Sequence, residues 1–158
     1  MIDPDELFQN FHILAEKNME LKDLFEGNIY HICTDGNSCP VLMREDSDFI
    51  IAVNYLAICA WRTSVQVVAY CIMANHFHFL ILSENRERTA AFIAMFKRML
   101  SMYLQKKYGL TKVMKNVGNG ISLIADLRYL QNCVAYILRN PIGARICGRV
   151  EDYPWSSY

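Results

Sequence analysis

Apolar positions along the chain repeat with two different periods. Leu7, Phe11, Leu14 and Ala15 recur at helical spacing behind Asp3 and Pro4, a cap and a first-turn residue, which predicts a helix from about Pro4 to Phe25. Asn28–Thr34 reads as a short strand, Asp35-Gly36-Asn37-Ser38 as a loop, and Pro40–Met43 as an added edge strand. Helical spacing returns behind Ser47 as N-cap and runs to about Trp61, with Ile50, Ile51, Tyr55 and Ile58 inward. The valine-rich stretch Ser64–Met73 predicts a buried strand. Ala74-Asn75 turns it into a second apolar run ending near Ser83, and so short a connection makes the pair antiparallel. From Asn85 to about Tyr108 a long helix carries Phe92, Met95, Phe96, Met99 and Tyr103 toward the core, with Lys97, Ser101 and Gln105 on the wet side; Gly109 ends it. Residues 110–120 form a basic, glycine-containing loop, and Ile121–Ala125 a last strand. Asp126 opens a helix that Pro141 ends at Asn140, and Gly148–Tyr158 is extended or turn-like.

Set aside the first helix and the order is βαββαβ. That is the split-βαβ, ferredoxin-like arrangement of an α+β protein: a mostly antiparallel sheet with helices packed on one face and the other face free for a partner. A length of 158 residues and a hydrophobic content of 53% suit one domain, with residues 1–27 as a helical extension and 28–158 as the core. No apolar run is long enough to span a bilayer, and the acidic start Met1-Ile2-Asp3-Pro4-Asp5-Glu6 lacks the order of a signal peptide, so the expected location is cytoplasmic, away from membranes. Six cysteines, none in a C-x-x-C pair and most in apolar segments, read as buried free thiols.

The formal net charge is zero, but it is unevenly spread. Residues 1–27 hold seven acids against two bases, a net of −5; residues 86–115 hold eight bases against one acid, a net of +7. The basic segment suits either a polyanion held on one face or a solvated helix surface.

Two stretches carry candidate chemistry. In Met73-Ala74-Asn75-His76-Phe77-His78-Phe79-Leu80-Ile81-Leu82, strand alternation puts His76, His78, Leu80 and Leu82 on one side and Phe77, Phe79 and Ile81 on the other. Paired imidazoles on a rigid strand either hold a divalent metal through ring nitrogens or are satisfied by hydrogen bonds. In the Asp126–Asn140 helix, Leu127, Leu130, Val134, Ile137 and Leu138 form one apolar stripe, which leaves Tyr136 and Asn140, four residues apart, together on the polar side. They are an exposed tyrosine and a helix-ending asparagine, or a nucleophile for phosphate chemistry and a third, oxygen ligand for a metal.

Taken together, these residues resemble a known family. Met73–Ile81 looks like the His–hydrophobic–His (HUH) motif of the single-tyrosine, IS200-like transposases. Tyr136-Ile137-Leu138-Arg139-Asn140-Pro141, with Tyr153-Pro154-Trp155-Ser156-Ser157-Tyr158, resembles the tyrosine motif and tail of the REP-associated tyrosine transposase branch; Tyr30-His31-Ile32 and Phe96-Lys97-Arg98 through Tyr108-Gly109 also fit. Ala74 stands where the family usually has proline, Lys112–Ile124 lacks the branch's tryptophan- and arginine-rich segment, and, with the sequence read to Tyr158, no C-terminal DNA-binding extension is expected. The resemblance implies that His76, His78 and Asn140 bind Mg²⁺ or Mn²⁺ and that Tyr136 is the nucleophile. It implies cutting of single-stranded DNA, often beside a hairpin, through a 5′-phosphotyrosine. Relatives occur as monomers and as homodimers, some exchanging the tyrosine helix. Lys97, Arg98, Lys106, Lys107 and Arg139 are the candidate phosphate contacts. The rivals are a non-catalytic nucleic-acid-binding domain derived from this enzyme and a ferredoxin-like RNA-binding module in which the histidines merely pack; the latter needs exposed aromatics on its sheet, and the face of Phe77 and Phe79 could equally be core. The enzyme reading requires the Tyr136 helix to lie on the His76/His78 side of the sheet.

Overall fold

Strand β3 (Phe77–Ser83) is buried at every position, which only the middle of a sheet covered on both sides allows. It pairs with β2 (Gln66–Ile72) on one side and β1 (Asn28–Thr34) on the other, and β4 (Asn119–Leu123) lies outside β1. The strand order is β2-β3-β1-β4 and every pairing is antiparallel. This is the split-βαβ sheet that the element order predicts. The computed structural model describes residues 27–34, 36, 41–110, 113–114 and 119–158. The expected N-terminal helix and its acidic charge lie outside them, as do Pro40 and most of the 110–120 loop. Val41–Met43, expected as an edge strand, has no regular structure; instead the amides of Leu42 and Met43 donate to the Ala74 carbonyl at 2.7 and 3.0 Å, bracing the β2–β3 turn.

Alternation along β3 divides the molecule. Phe77, Phe79 and Ile81 enter the core under helix α1 (Asp46–Thr63) and helix α2 (Arg86–Tyr108), where Phe77 and Phe79 meet the Phe96 ring edge-on at 5.0 and 4.9 Å. These rings are therefore core, and the base-stacking surface of an RNA module is not present at Phe77 and Phe79. Leu80 and Leu82 point the other way, into a second core with Ile29, Ala69, Cys71 and helix α3 (Leu127–Gly143). Helices thus cover both faces, not one. The reason lies in α3 itself: Leu130, Cys133, Ile137 and Pro141 are buried, a stripe that can be removed from water only against the sheet's second face.

Three helix details differ from the sequence expectation. Helix α1 starts at Asp46 with Glu45 as N-cap, because the Asp48 carboxylate turns back to accept the amides of Arg44 and Glu45 at 2.8 and 3.2 Å. Its inward residues are Asp48, Ala52, Leu56, Cys59 and Ala60, while Ile50 and Ile58 are half exposed; apolar residues surround this helix, so periodicity alone leaves its rotation open. Helix α3 continues through Pro141 to Gly143. In the last turn a proline forfeits one backbone bond, and the amides of Ala144 and Ile146 still close onto the carbonyls of Asn140 and Pro141. Asn140 therefore keeps helical geometry one turn from Tyr136.

The C-terminal tail lines the outer edge of β2. Ile72 donates its amide to the Trp155 carbonyl at 2.9 Å, the Ser157 amide donates to the Tyr70 carbonyl at 3.0 Å, and the Tyr153 hydroxyl donates to the Ile72 carbonyl at 2.7 Å. Trp155 stacks on Phe49. The Tyr-Pro-Trp-Ser-Ser stretch thereby satisfies an edge strand that would otherwise present open hydrogen-bonding groups.

Candidate functional site

The α3 side of the sheet gathers polar residues at one end. Strand alternation puts His31 and Cys33 of β1 on the same side as Ile29, and His78 on the same side as Leu80, while the register places Cys33 opposite His78. His76 stands just before β3, in the tight turn closed by the Met73 amide on the His76 carbonyl at 2.8 Å. From the opposite side, α3 brings down Tyr136 and Asn140.

Asn140 spans the two histidines. Its Oδ1 lies 3.2 Å from His76 Nε2, and its Nδ2 lies 3.1 Å from His78 Nε2. Residues 62 and 64 positions apart thus meet in one cluster. Tyr136, 56% exposed, sets its ring edge-on to His78 at 5.2 Å and to His31 at 6.2 Å. An open groove of about 550 Å³ beside it is lined by Asn132, Tyr136, Arg139, Asn140 and Gly143.

The hydrogen bonds around His76 fix which of its atoms is available. Asn75 Nδ2 donates to the Gly36 carbonyl at 2.8 Å, so Asn75 Oδ1 faces His76 Nδ1, also at 2.8 Å, and takes its hydrogen. His76 Nε2, the other ring nitrogen, lies against Asn140 Oδ1. His76 Nε2, His78 Nε2 and Asn140 Oδ1 are the atoms that could together hold a divalent cation. At His78 the order runs on: Nε2 accepts from Asn140, so Nδ1 carries the hydrogen and donates to His31 Nε2 at 3.2 Å. His78 is 4% exposed. Burial first, and then the charges of His31 and His76, push its pKa down to about 3, and burial also lowers that of His31. His78 stays neutral near pH 7, the form that ligates metals.

Glycine shapes this pocket. A Cβ on Gly36 would come 2.8 Å from His76 Nδ1, and one on Gly120 would come 2.9 Å from Cys33 Sγ. At both places a Cβ would have to displace a site side chain.

The candidate DNA contacts separate. Arg139 is exposed on α3 and borders the Tyr136 groove. Arg98 and Lys106 are exposed on α2, which covers the sheet's other face, and Lys97 Nζ donates to Asn119 Oδ1 at the start of β4. Lys107 is committed elsewhere: its ammonium meets Asp48 Oδ1 at 2.6 Å and bonds Glu45 and the Tyr103 hydroxyl. That ammonium is part of the α1–α2 packing.

His31 and Cys33 were not singled out for chemistry by sequence. With His78 they form, among the described residues, the one group of three or more His, Cys, Asp or Glu side chains that could hold a metal ion, their ligand atoms all within 4.8 Å of one another. The signal was available in β1, where alternation puts His31 and Cys33 on one side between the core residues Tyr30, Ile32 and Thr34.

No curated protein matches the chain. Among solved structures, a REP-associated tyrosine transposase bound to a REP hairpin is similar with a TM-score of 0.61 at 14% identity, over 85% of this chain and 78% of that one. At that identity the likeness shows the fold. A candidate transposase from Deinococcus radiodurans gives a TM-score of 0.45 at 17% identity, over 71% of this chain and 88% of that one, too low to bear on the fold. The family profile described as IS200-like transposase matches residues 29–119, which run from β1 through the histidine turn to the first residue of β4 and stop before α3. That match covers more than half of the sequence: the chain belongs to the IS200-like transposase family.

Proposed function

We propose that the chain is a metal-dependent, single-tyrosine strand transferase that cuts and rejoins single-stranded DNA carrying a hairpin. The single observation that carries this reading is the meeting of Tyr136 and Asn140 with His76 and His78, sixty residues away in sequence, around one small space. A divalent cation, Mg²⁺ or Mn²⁺, bound by His76, His78 and Asn140 would withdraw charge from the scissile phosphate and stabilise the charge that develops there.

The protein's own residues do the rest. Tyr136 Oη attacks the phosphorus and gives its phenolic proton to solvent; the bond to the 3′ oxygen breaks and that oxygen takes a proton from solvent, giving a 5′-phosphotyrosine and a free 3′-hydroxyl. Attack by a 3′-hydroxyl on that phosphotyrosine restores the phosphodiester and the tyrosine. One phosphate ester is exchanged for another at each step, so no nucleotide triphosphate is needed. The exposure of Tyr136 and the open groove beside it suit a splayed single strand rather than a small molecule, and Arg139 is placed to hold a flanking phosphate. Hairpin recognition is proposed by analogy with the REP-hairpin complex of the structural relative.

The test is a cleavage assay on labelled single-stranded DNA with a hairpin, in Mn²⁺. The expected products are a denaturation-resistant protein–DNA adduct and a free 3′ fragment, both lost in Tyr136→Phe and in His76→Ala with His78→Ala. DNA binding without cleavage by the unaltered chain would favour the binding-only descendant; an adduct persisting in Tyr136→Phe would remove Tyr136 as nucleophile.

A further inference from the structure

We propose that His31, Cys33 and His78 form a second cation site, selective for a thiophilic ion of the Zn²⁺ class, whose occupation withdraws His78 from His76 and Asn140. The site itself stands apart from the catalytic reading; only its effect on cleavage rests on that reading.

The three side chains stand close enough together to share one ion. His31 Nε2 and His78 Nδ1 lie 3.2 Å apart, and Cys33 Sγ is within 4.8 Å of both. Tetrahedral zinc, with bonds of about 2.0 Å to nitrogen and 2.3 Å to sulfur, sets its nitrogen ligands about 3.3 Å apart. His31 and Cys33 are half-buried and His78 is buried, so an ion approaching from the β1 side meets two accessible ligands and one rigid one. The close backbone of Gly120 beneath Cys33 Sγ limits where the sulfur can move. Two imidazoles and a thiolate suit zinc and its neighbours, whereas Mg²⁺ and Mn²⁺ prefer oxygen-rich sets.

His78 links the two sites because a neutral imidazole has one lone pair. With Asn140 Nδ2 donating to Nε2, the ring hydrogen belongs on Nδ1. An ion on Nδ1 requires that hydrogen to move to Nε2, where it would donate to a turned Asn140 amide. Cys33 releases its thiol proton to solvent and forms the metal–sulfur bond, while His31 already presents its Nε2 lone pair. Nothing is oxidised or reduced. With the proton on Nε2, His78 is no longer a ligand for the cation shared with His76 and Asn140, so the two occupancies exclude each other.

The experiment is a Co²⁺ titration of the full chain under a non-thiol reductant, read in the near ultraviolet where thiolate-to-cobalt charge transfer absorbs. The expected band appears at one Co²⁺ per chain, persists in Asn140→Ala, and is lost in Cys33→Ser and in His31→Gln. Should Cys33→Ser lose its circular-dichroism signature, His31→Gln decides, since it removes a ligand and keeps the cysteine. No thiolate band in the unaltered chain, or a band retained in His31→Gln, overturns the site. A second arm measures Mn²⁺-supported cleavage against added Zn²⁺: inhibition is expected in the unaltered chain, with at least about tenfold more Zn²⁺ needed in Cys33→Ser. Equal inhibition of both proteins overturns the exclusion. If the unaltered chain does not cleave at all, the catalytic reading has failed, and the cobalt band still decides the site.

Discussion

Two polar clusters lie on opposite sides of the sheet, and they are built on opposite principles. Between α1 and α2, Asp48 is closed off from solvent and accepts the hydroxyls of Tyr103 and Tyr108 at 2.8 and 2.7 Å, the amides of Arg44 and Glu45, and the Lys107 ammonium. Burial by itself would raise its pKa, but those donors outweigh burial and hold the carboxyl well below the usual carboxylate range. Every lone pair there meets a hydrogen. Beside α3 there is no such closure by charge: His76 Nε2 lies 3.2 Å from Asn140 Oδ1, and the buried His78 bonds only Asn140 and His31. A network closed by charge belongs to packing, and one whose lone pairs can turn toward a cation suits a ligand.

The comparison can be broken from either side. The largest effect on stability is expected at the closed cluster. Asp48→Ala should cost about 3 kcal/mol in denaturant unfolding, because it strands two amides and two hydroxyls around a lost charge, while cleavage per folded molecule stays unchanged. A cleavage defect in the folded Asp48→Ala protein would mean that the two clusters are coupled.

Next in size is a pH effect from His78. Its pKa of about 3 in the folded chain lies below the ordinary 6.5, so the unfolded chain takes up the proton first as pH falls. Stability from this group is complete above about pH 6.5 and declines toward pH 3; between pH 7 and 5 the metal-free protein should lose about 2 kcal/mol. His78→Gln should flatten most of that slope in thermal melts, and an equal slope in both proteins would show that His78 is not the titrating group.

A smaller effect is expected from the residues that aim His76. Asn75→Ala frees the ring, and Gly36→Ala pushes it with a Cβ 2.8 Å from Nδ1. Each should weaken Mn²⁺ binding by about tenfold in calorimetry with little change in melting temperature. Unchanged affinity in both would place the metal elsewhere.

The smallest effects concern phosphate contacts. Arg139→Ala should weaken binding to a single-stranded hairpin and lower the salt slope of log K by about 0.7, as for one lost phosphate contact. Lys107→Ala should leave that slope unchanged, since its ammonium already belongs to Asp48.

Much of this was legible in the sequence, and the reasons for success and failure are physical. Strict alternation at Phe77–Leu82 assigned both faces of β3, because a central strand tolerates no change of phase. The Tyr136–Asn140 pairing followed from helical spacing alone. The rotation of helix α1 is not legible because apolar residues lie on several of its sides; it is set by a buried aspartate whose side-chain donors come from α2, 55 to 60 residues away. The element order does not say on which face of the sheet α3 packs, and Pro141 reads as a helix end although it can occupy the last turn. Alternation in β1 puts His31 and Cys33 on one side, but they become a site only through the register that sets Cys33 opposite His78.

The most direct measurement is a mass map of the covalent product. The chain is reacted with hairpin-bearing single-stranded DNA and Mn²⁺, digested with nuclease and protease, and its peptides are weighed. The account predicts one modified peptide, spanning the middle of α3, with a 5′-linked nucleotide on Tyr136 and a matching DNA fragment ending in a 3′-hydroxyl. A nucleotide on another residue, or cut DNA with no modified peptide at all, would contradict it.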